Sequence, residues 1–387
     1  MILPPSTLGM LGGGQLGRFF TAAAHELGYR VWVLDPDPHS PAGRIAERHL
    51  IAGYDDYRAL DELAEGCAAV STEFENVPAG TLDYLAKFIV VHPSPTAVSI
   101  CQNRIAEKTF LHRHRLPHGE FIAVRCEQDL READNRLFPG ILKVARLGYD
   151  GKGQAVVYGR DEAMIAYQQL KGEHCVLERK LELDLEVSVV LARDESGALA
   201  CYPAVENSHR KGILDVSTIP ARTSPALRER AAELAGTIAR QLAYVGTLAV
   251  EFFVVGGDLL VNEIAPRPHN SGHLSLDACV SSQFEQQVRA LCGLPLGEAR
   301  AHSAATMVNL LGDLWYDSGA DAASHPYREP DWSSLLAVPG LKLHLYGKHH
   351  ARPGRKMGHF TVLDDDAQRA RAAAMAARAA IGIGDVG

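Results

Sequence analysis

Over the first ~95 residues, short apolar β-branched runs alternate with stretches of helical periodicity. Thr7-Leu8-Gly9-Met10-Leu11 reads as a strand, Gln15 to Leu27 as a helix, and Arg30-Val31-Trp32-Val33-Leu34 as a second strand ending at Asp35. Ala68 to Thr72 and Phe88 to Val91 supply later strands. The alternation predicts a parallel, Rossmann-like α/β domain over residues 1–97, closed by Pro93-Ser94-Pro95. Residues 98–295 mix both periodicities. Helices are expected at 99–115, 225–243 and 274–292, and strands at 140–145, 154–158, 174–179, 185–192 and 200–205. That is an α+β pattern. Residues 296–387 add short strands from Thr306, Leu341 and His359 and an Ala/Arg-rich helix from about Ala367, a small β-rich C-terminal domain.

Two apolar runs, Leu248 to Val255 and Leu259 to Ile264, flank Gly256-Gly257-Asp258 and read as an antiparallel hairpin. A three-residue loop places Glu251 opposite Glu263; a two-residue loop places it opposite Asn262. Two like charges facing each other at 4–5 Å cost roughly 3–4 kcal/mol at an effective dielectric near 20. A hard divalent cation between them reverses that sign, and an all-oxygen donor set suits Mg²⁺ shared with substrate phosphates. The competing reading is a solvated acidic hairpin.

Composition narrows the classes. Hydrophobic residues make up 47% and charged residues 22%, which excludes a disordered chain. A net charge of −8 argues against a non-specific nucleic-acid binder, although a local basic patch can still hold a phosphate. The seven cysteines are scattered without a CxxC pair, so neither a disulfide framework nor a zinc-thiolate site is expected, and a reducing compartment fits. The first residues lack a basic segment and a long apolar core, and no run approaches the ~20 apolar residues of a membrane span. The expectation is a cytoplasmic protein with no membrane or nucleic-acid partner.

Four further segments carry chemistry. Gly12-Gly13-Gly14-Gln15-Leu16-Gly17 with Asp35 fits the dinucleotide fingerprint and offers NAD binding as a rival function; the glycines themselves establish only a tight turn whose amides can approach an anion. Lys143 precedes a loop with Gly148, Gly151 and Gly153 plus Asp150 and Lys152, suited to folding over a polyphosphate, or simply a hairpin turn. His269 and His273 stand four apart, but Asn-Ser-Gly between them lacks a general-base glutamate and opposes a zinc helix. Tyr346 to Lys356 is a basic loop fit for a phosphate-bearing small substrate.

Taken together, GGGQLGR (12–18), TEFENV (72–77), GYDGKGQ (148–154), YPAVENSHRKGIL (202–214), NEIAPRPHNSGH (262–273) and RPGRKMGH (352–359) resemble the ATP-grasp superfamily. Within it, they resemble the 5-(carboxyamino)imidazole ribonucleotide synthases. The resemblance spans nearly the whole chain in order, and the Asn-Ser-Gly-His cassette and the late PGRKMGH are its specific parts. One departure is Leu147, where the family often has another glycine.

The resemblance implies an ATP-grasp fold and ATP-dependent carboxylation of aminoimidazole ribonucleotide by bicarbonate through carboxyphosphate. Arg104 and Lys143 would touch ATP, and Gly148, Tyr149, Asp150, Gly151, Lys152, Gly153 and Gln154 would close over its phosphates. Glu178, Arg179, Lys180 and Leu181 would frame adenine, Glu186 would hold the ribose, and His209 would lie near the nucleotide. Glu251, Asn262 and Glu263 would hold Mg²⁺ or Mn²⁺, with Asn262 and Glu263 also reaching the nucleotide. Tyr149, Asp150, Lys152, Arg267, His269, Asn270, Ser271, Lys348 and Arg355 would surround the ribonucleotide, with Gln15 and Glu73 as further contacts. Lys152, Arg267 and His269 are the expected catalytic groups. A homodimer is the family expectation. Rival functions are an NAD-dependent dehydrogenase, a non-catalytic nucleotide-binding module, or another ATP-grasp carboxylase or formyl transferase.

Overall fold

The computed structural model describes residues 1–148, 153–316 and 328–384. Three sheets organise them. The first is a five-stranded parallel sheet in the order Arg48–Leu50, Arg30–Leu34, Thr7–Leu11, Ala69–Thr72, Val90–Val91. The chain reverses direction across this sheet between Thr7–Leu11 and Ala69–Thr72, so the carboxyl ends of these two strands open a crevice. The three-residue edge strand Arg48–Leu50 carries too little apolar pattern to be predicted.

The second sheet is antiparallel and runs Asp258–Ala265, Gly246–Val255, Leu185–Arg193, Val205–Arg210, Ile213–Ile219, Ala304–Leu311, Lys356–Asp364, Leu341–Leu345, with Leu199–Cys201 beside Leu185–Arg193. It crosses the boundary expected at 295/296 without a break, because Ile213–Ile219 pairs with Ala304–Leu311. Leu248, Val250, Phe252 and Val254 point into one core with Ala231, Leu234, Ala235 and Ile238 of the helix Pro225–Gln241. The strand alternation therefore turns Glu251 and Phe253 to the opposite face.

The third sheet is small and antiparallel, in the order Phe121–Val124, Cys175–Arg179, Gly140–Val144, Gln154–Val157, backed by the helices Glu127–Arg131 and Arg160–Gln169. Two expected helices are each split. The 99–115 segment becomes Pro95–Cys101 and Arg104–Arg113, because the Asn103 side chain caps a new start by accepting from the Ile105 and Ala106 amides. The 274–292 segment becomes Ser275–Ala278 and Gln283–Leu291, the latter capped by Ser282. Gln283–Leu291 packs on the first domain's helix Gln15–Glu26 through a shared core of Phe20, Phe284, Val288 and Leu291. That packing sets the parallel sheet's crevice against the antiparallel sheet's polar face. Among the described residues, no helix is long and apolar enough to cross a membrane.

Candidate active site

The hairpin combines both expected registers. Gly256 and Gly257, both at positive φ, form a two-residue loop closed by the pair Val255 and Asp258. A β-bulge then shifts the register, so that Glu251 pairs with Glu263 while Phe252 pairs with Val261. Asn262 is the inserted residue, which brings Asn262 and Glu263 together opposite one glutamate. The bulge follows from the core pattern. Leu259, Val261 and Ile264 are all buried, and the three-residue step from Val261 to Ile264 needs one extra residue.

This polar cluster lies on a cavity of about 960 Å³ where the three sheets converge. Its wall includes Gln15, Glu73, Arg104, Lys143, Gly148, Gln154, Glu186 and His209, all expected from the sequence. It also includes Glu251, Asn262, Glu263, Arg267, His269, Asn270, Lys348 and Arg355. Tyr149, Asp150, Gly151 and Lys152 lie outside the described residues. Gly153 is at positive φ beside the wall, its carbonyl accepting from the Val144 amide at 2.8 Å.

Several residues expected at the nucleotide or ribonucleotide lie off this wall. Arg179 and Lys180 are exposed and Leu181 half-buried at the end of Cys175–Arg179, off the cavity wall. Glu178 is also off the wall, buried in a charge cluster with Lys143 Nζ at 3.1 Å and Lys108 Nζ at 3.6 Å. Ser271 does not face the cavity; it is fully buried beneath His269, its Oγ 2.8 Å from His269 Nδ1 and 2.7 Å from Ser188 Oγ. The chain of hydroxyls and amides continues through Asn207 to Ser217 across adjacent strands. A short polar residue in a cassette can thus serve as a support as readily as a contact.

The electrostatics are strongly tuned. Burial opposes charge on Glu251, but the hydrogen bond and charge of His269, whose Nε2 is 3.0 Å away, and the charges of His209 and Arg267 outweigh it; its pKa falls to about 2. Glu75 is likewise penalised by burial and rescued by Arg267, also ending near 2. Burial raises Glu178, yet Lys108 and Lys143 bring it to about 2, and Lys143, sharing that one carboxylate with Lys108, is held below its usual range mainly by burial. Glu263 lies 3.2 Å from Arg104, whose pKa it raises. Burial would lower His209, but Glu186 Oε2 at 2.8 Å lifts it above the ordinary value.

Two side-chain amides have buried, unpartnered atoms at this wall: Asn262 Oδ1, and both Oδ1 and Nδ2 of Asn270. An unmet acceptor beside two facing carboxylates is an oxygen-only donor set, which fits Mg²⁺. Lys348 Nζ donates to Gln15 Oε1 at 2.7 Å and to the Lys356 carbonyl, and Arg355 donates to the His350 carbonyl at 2.8 Å.

The glycine-rich loop is occupied by the protein itself. Gly13 N–H donates to Asp35 Oδ2 at 2.6 Å, and Glu73 accepts from Gly14 and Leu16, the latter at 3.1 Å. A Cβ on Gly14 would sit 2.3 Å from Glu73 Oε1, so the glycine admits an internal carboxylate where the fingerprint would seat a pyrophosphate. His269 and His273 share no helix: a 3-10 turn, Asn270–Gly272, separates them, and His273 is buried among Phe19, Phe284 and His359. Residues the sequence reading passed over are Glu75, which holds Arg267, and Glu107 and Lys108, buried behind the hairpin.

Comparisons with known proteins agree with this layout. Residues 6–102 match the ribonucleotide synthetase preATP-grasp domain, 109–284 the ATP-grasp domain, and 305–373 the phosphoribosylaminoimidazole carboxylase C-terminal domain. The chain is 44% identical over 362 residues to an N5-carboxyaminoimidazole ribonucleotide synthase of Brucella melitensis, covering 92% of this chain and 96% of that one. It is 39% identical over 367 residues to the Bacillus subtilis synthase, covering 94% and 93%. Among solved structures, the ADP complex of an N5-carboxyaminoimidazole ribonucleotide synthetase superposes with a TM-score of 0.89 at 38% identity, covering 98% and 97%. A synthase from Aspergillus clavatus in complex with ADP and 5-aminoimidazole ribonucleotide superposes with a TM-score of 0.87 at 28% identity, covering 97% and 98%. The chain belongs to the N5-carboxyaminoimidazole ribonucleotide synthases of the ATP-grasp superfamily.

Proposed function

We propose that this protein uses ATP and bicarbonate to carboxylate 5-aminoimidazole ribonucleotide on its exocyclic amine, releasing ADP and phosphate, in purine biosynthesis. The observation that carries this reading is one cavity bounded both by the Lys143, Arg104 and Glu251–Glu263 cluster and by Asn270, Lys348 and Arg355. The first set suits a triphosphate; the second offers an unsatisfied amide and cations to a second phosphorylated molecule.

Bicarbonate is a weak electrophile, so an oxygen of bicarbonate attacks the γ-phosphate of ATP to give carboxyphosphate and ADP. Lys143 and Arg104 stabilise the charge that develops on the transferring group, where positioning and electrostatics dominate. Glu186, paired with His209, is placed for the ribose hydroxyls. Glu251, Asn262 and Glu263 would hold Mg²⁺ or Mn²⁺, which neutralises phosphate charge when bound. The amine of the ribonucleotide then takes the carboxyl group from carboxyphosphate, or from CO₂ released in the closed site, with water kept out by the wall.

Arg267, fixed by Glu75, and Lys348, fixed by Gln15, orient the second substrate. Both ring nitrogens of His269 are engaged, by Glu251 and by Ser271. That makes His269 an orienting group and leaves the departing phosphate as acceptor of the amine proton. The protein works in the cytoplasm as a homodimer, in keeping with its family and its unpaired cysteines.

An omission assay tests the function. ADP release should require ATP, bicarbonate and the ribonucleotide together; release indifferent to the ribonucleotide would leave only the ATP-binding half of the reading.

A further inference from the structure

The strand Asp258–Ala265 is the edge of the antiparallel sheet, and its bulge interrupts the ladder just where the expected metal ligands stand. One face of the helix Arg104–Arg113 answers the bulge residue by residue. Lys108 Nζ donates to the Asn262 carbonyl at 2.9 Å, Arg104 reaches the Glu263 carboxylate at 3.2 Å, and Glu107 Oε1 accepts from the Ile264 amide at 2.5 Å. Positions 104, 107 and 108 are spaced i, i+3, i+4, the spacing that aligns side chains on one helix face. The Pro117 carbonyl accepts from the Val261 amide at 2.8 Å and continues the cover along the edge.

Glu107 and Lys108 are each only 1% exposed. Burying a full ammonium and a carboxyl is expensive unless they are held and hydrogen-bonded. An apolar cover would close the edge at lower cost, but it could not bond the carbonyl and amide that a bulge leaves out of register. Lys108 also lies 3.6 Å from Glu178, which holds Lys143. The same ammonium thus joins the bulge to the lysine of the small sheet.

We propose that Glu107 and Lys108 are positioning residues of the metal site: they fix the backbone on either side of Glu263, so that Asn262 and Glu263 stay opposite Glu251. Neither residue touches substrate; they act through the bulge. This inference rests on the reading of Glu251, Asn262 and Glu263 as metal ligands.

The test measures Mn²⁺ binding directly, from the electron paramagnetic resonance signal of free Mn²⁺, with ADP present and without turnover. Supports behind a metal site are typically worth about 10–100-fold in affinity. Lys108→Met should weaken Mn²⁺ by that factor, leave the KM for the ribonucleotide within about twofold, and recover activity at high Mg²⁺. Glu107→Gln keeps an oxygen for the Ile264 amide and should bind Mn²⁺ as the parent does, whereas Glu107→Leu should weaken it like Lys108→Met. Should Lys108→Met fail to fold, the Glu107 pair carries the test alone.

A folded Lys108→Met or Glu107→Leu with parental Mn²⁺ affinity overturns the proposal, as does an equal loss for Mn²⁺ and the ribonucleotide. Glu263→Gln is the control. If it leaves Mn²⁺ binding untouched, the metal assignment itself falls, whereas weakening by Glu263→Gln alone removes only the positioning role.

Discussion

Two places in this molecule bring carboxylates to a turn, and they are resolved in opposite ways. At the glycine loop, Asp35 and Glu73 fill the amides of Gly13, Gly14 and Leu16 from within the chain. At the hairpin, Glu251 and Glu263 face each other, held from outside by His269 and Arg104, with Asn262 Oδ1 unmet. The first turn has the sequence pattern of a ligand site and is closed on itself. The second reads as a charge conflict and retains an unmet acceptor. What separates them is the unmet Asn262 oxygen at the hairpin; at the glycine loop the amides are met by carboxylates 22 to 59 residues away in the chain.

The comparison breaks most visibly at Glu263. Glu263→Gln should leave the protein folded and lower ATP turnover by at least about 10²-fold, the upper end of what even an outer support of a metal costs; retained turnover would remove the metal role of the hairpin. Next in size is Glu178→Gln, which strips a carboxylate shared by two buried lysines. It should cost roughly 3–5 kcal/mol at neutral pH. The sign with pH follows from the depressed carboxyl: its folded pKa is about 2 against an ordinary 4.5. Its stabilisation is therefore full above about 4.5 and lost as pH falls from there towards 2. Melting temperatures across that range should show a shallower acid decline in Glu178→Gln than in the parent.

At the closed turn, Gly14→Ala forces a Cβ against Glu73 and should cost roughly 1–3 kcal/mol of stability. NADH fluorescence should stay unquenched in parent and variant alike; quenching by the parent would reopen the dinucleotide reading. A smaller effect is expected on the far wall, where Arg355→Ala should raise the ribonucleotide KM by about tenfold, worth ~1.4 kcal/mol, with little change for ATP. A change confined to ATP would move Arg355 out of the second substrate's half.

Much of this was legible from sequence because it depends on local pattern. The parallel strands and the hairpin announce themselves by periodicity and turn residues, while the Asn-Ser-Gly-His cassette is carried by the family resemblance. The bulge was not legible: the sequence left two registers open, and only the burial of both Val261 and Ile264, three residues apart, shows why one residue is inserted between them. What periodicity cannot give is the partner across the fold. Lys108 sits in an ordinary helix beside Phe110 and Leu111, and only the packing of that helix on the sheet edge puts its ammonium on Asn262. Ser271 looks like a wall residue until the strand Leu185–Arg193 places Ser188 under it.

Leu147 shows the converse. It adopts a φ of 62°, the left-handed region that glycine enters without strain, which gives a physical reason for the glycine that the resemblance leads one to expect there. Leu147→Gly should therefore relieve about 1–2 kcal/mol of local strain.

The central claim is that the hairpin bulge, and no other oxygen cluster on the cavity wall, takes the divalent cation at the junction of the two substrates. The most direct measurement is anomalous diffraction from crystals grown with ADP and Mn²⁺. The account predicts a manganese peak between Glu251 and Glu263 with Asn262 Oδ1 turned towards it. A peak elsewhere on the wall, with the two glutamates still bound only to His269 and Arg104, would contradict it.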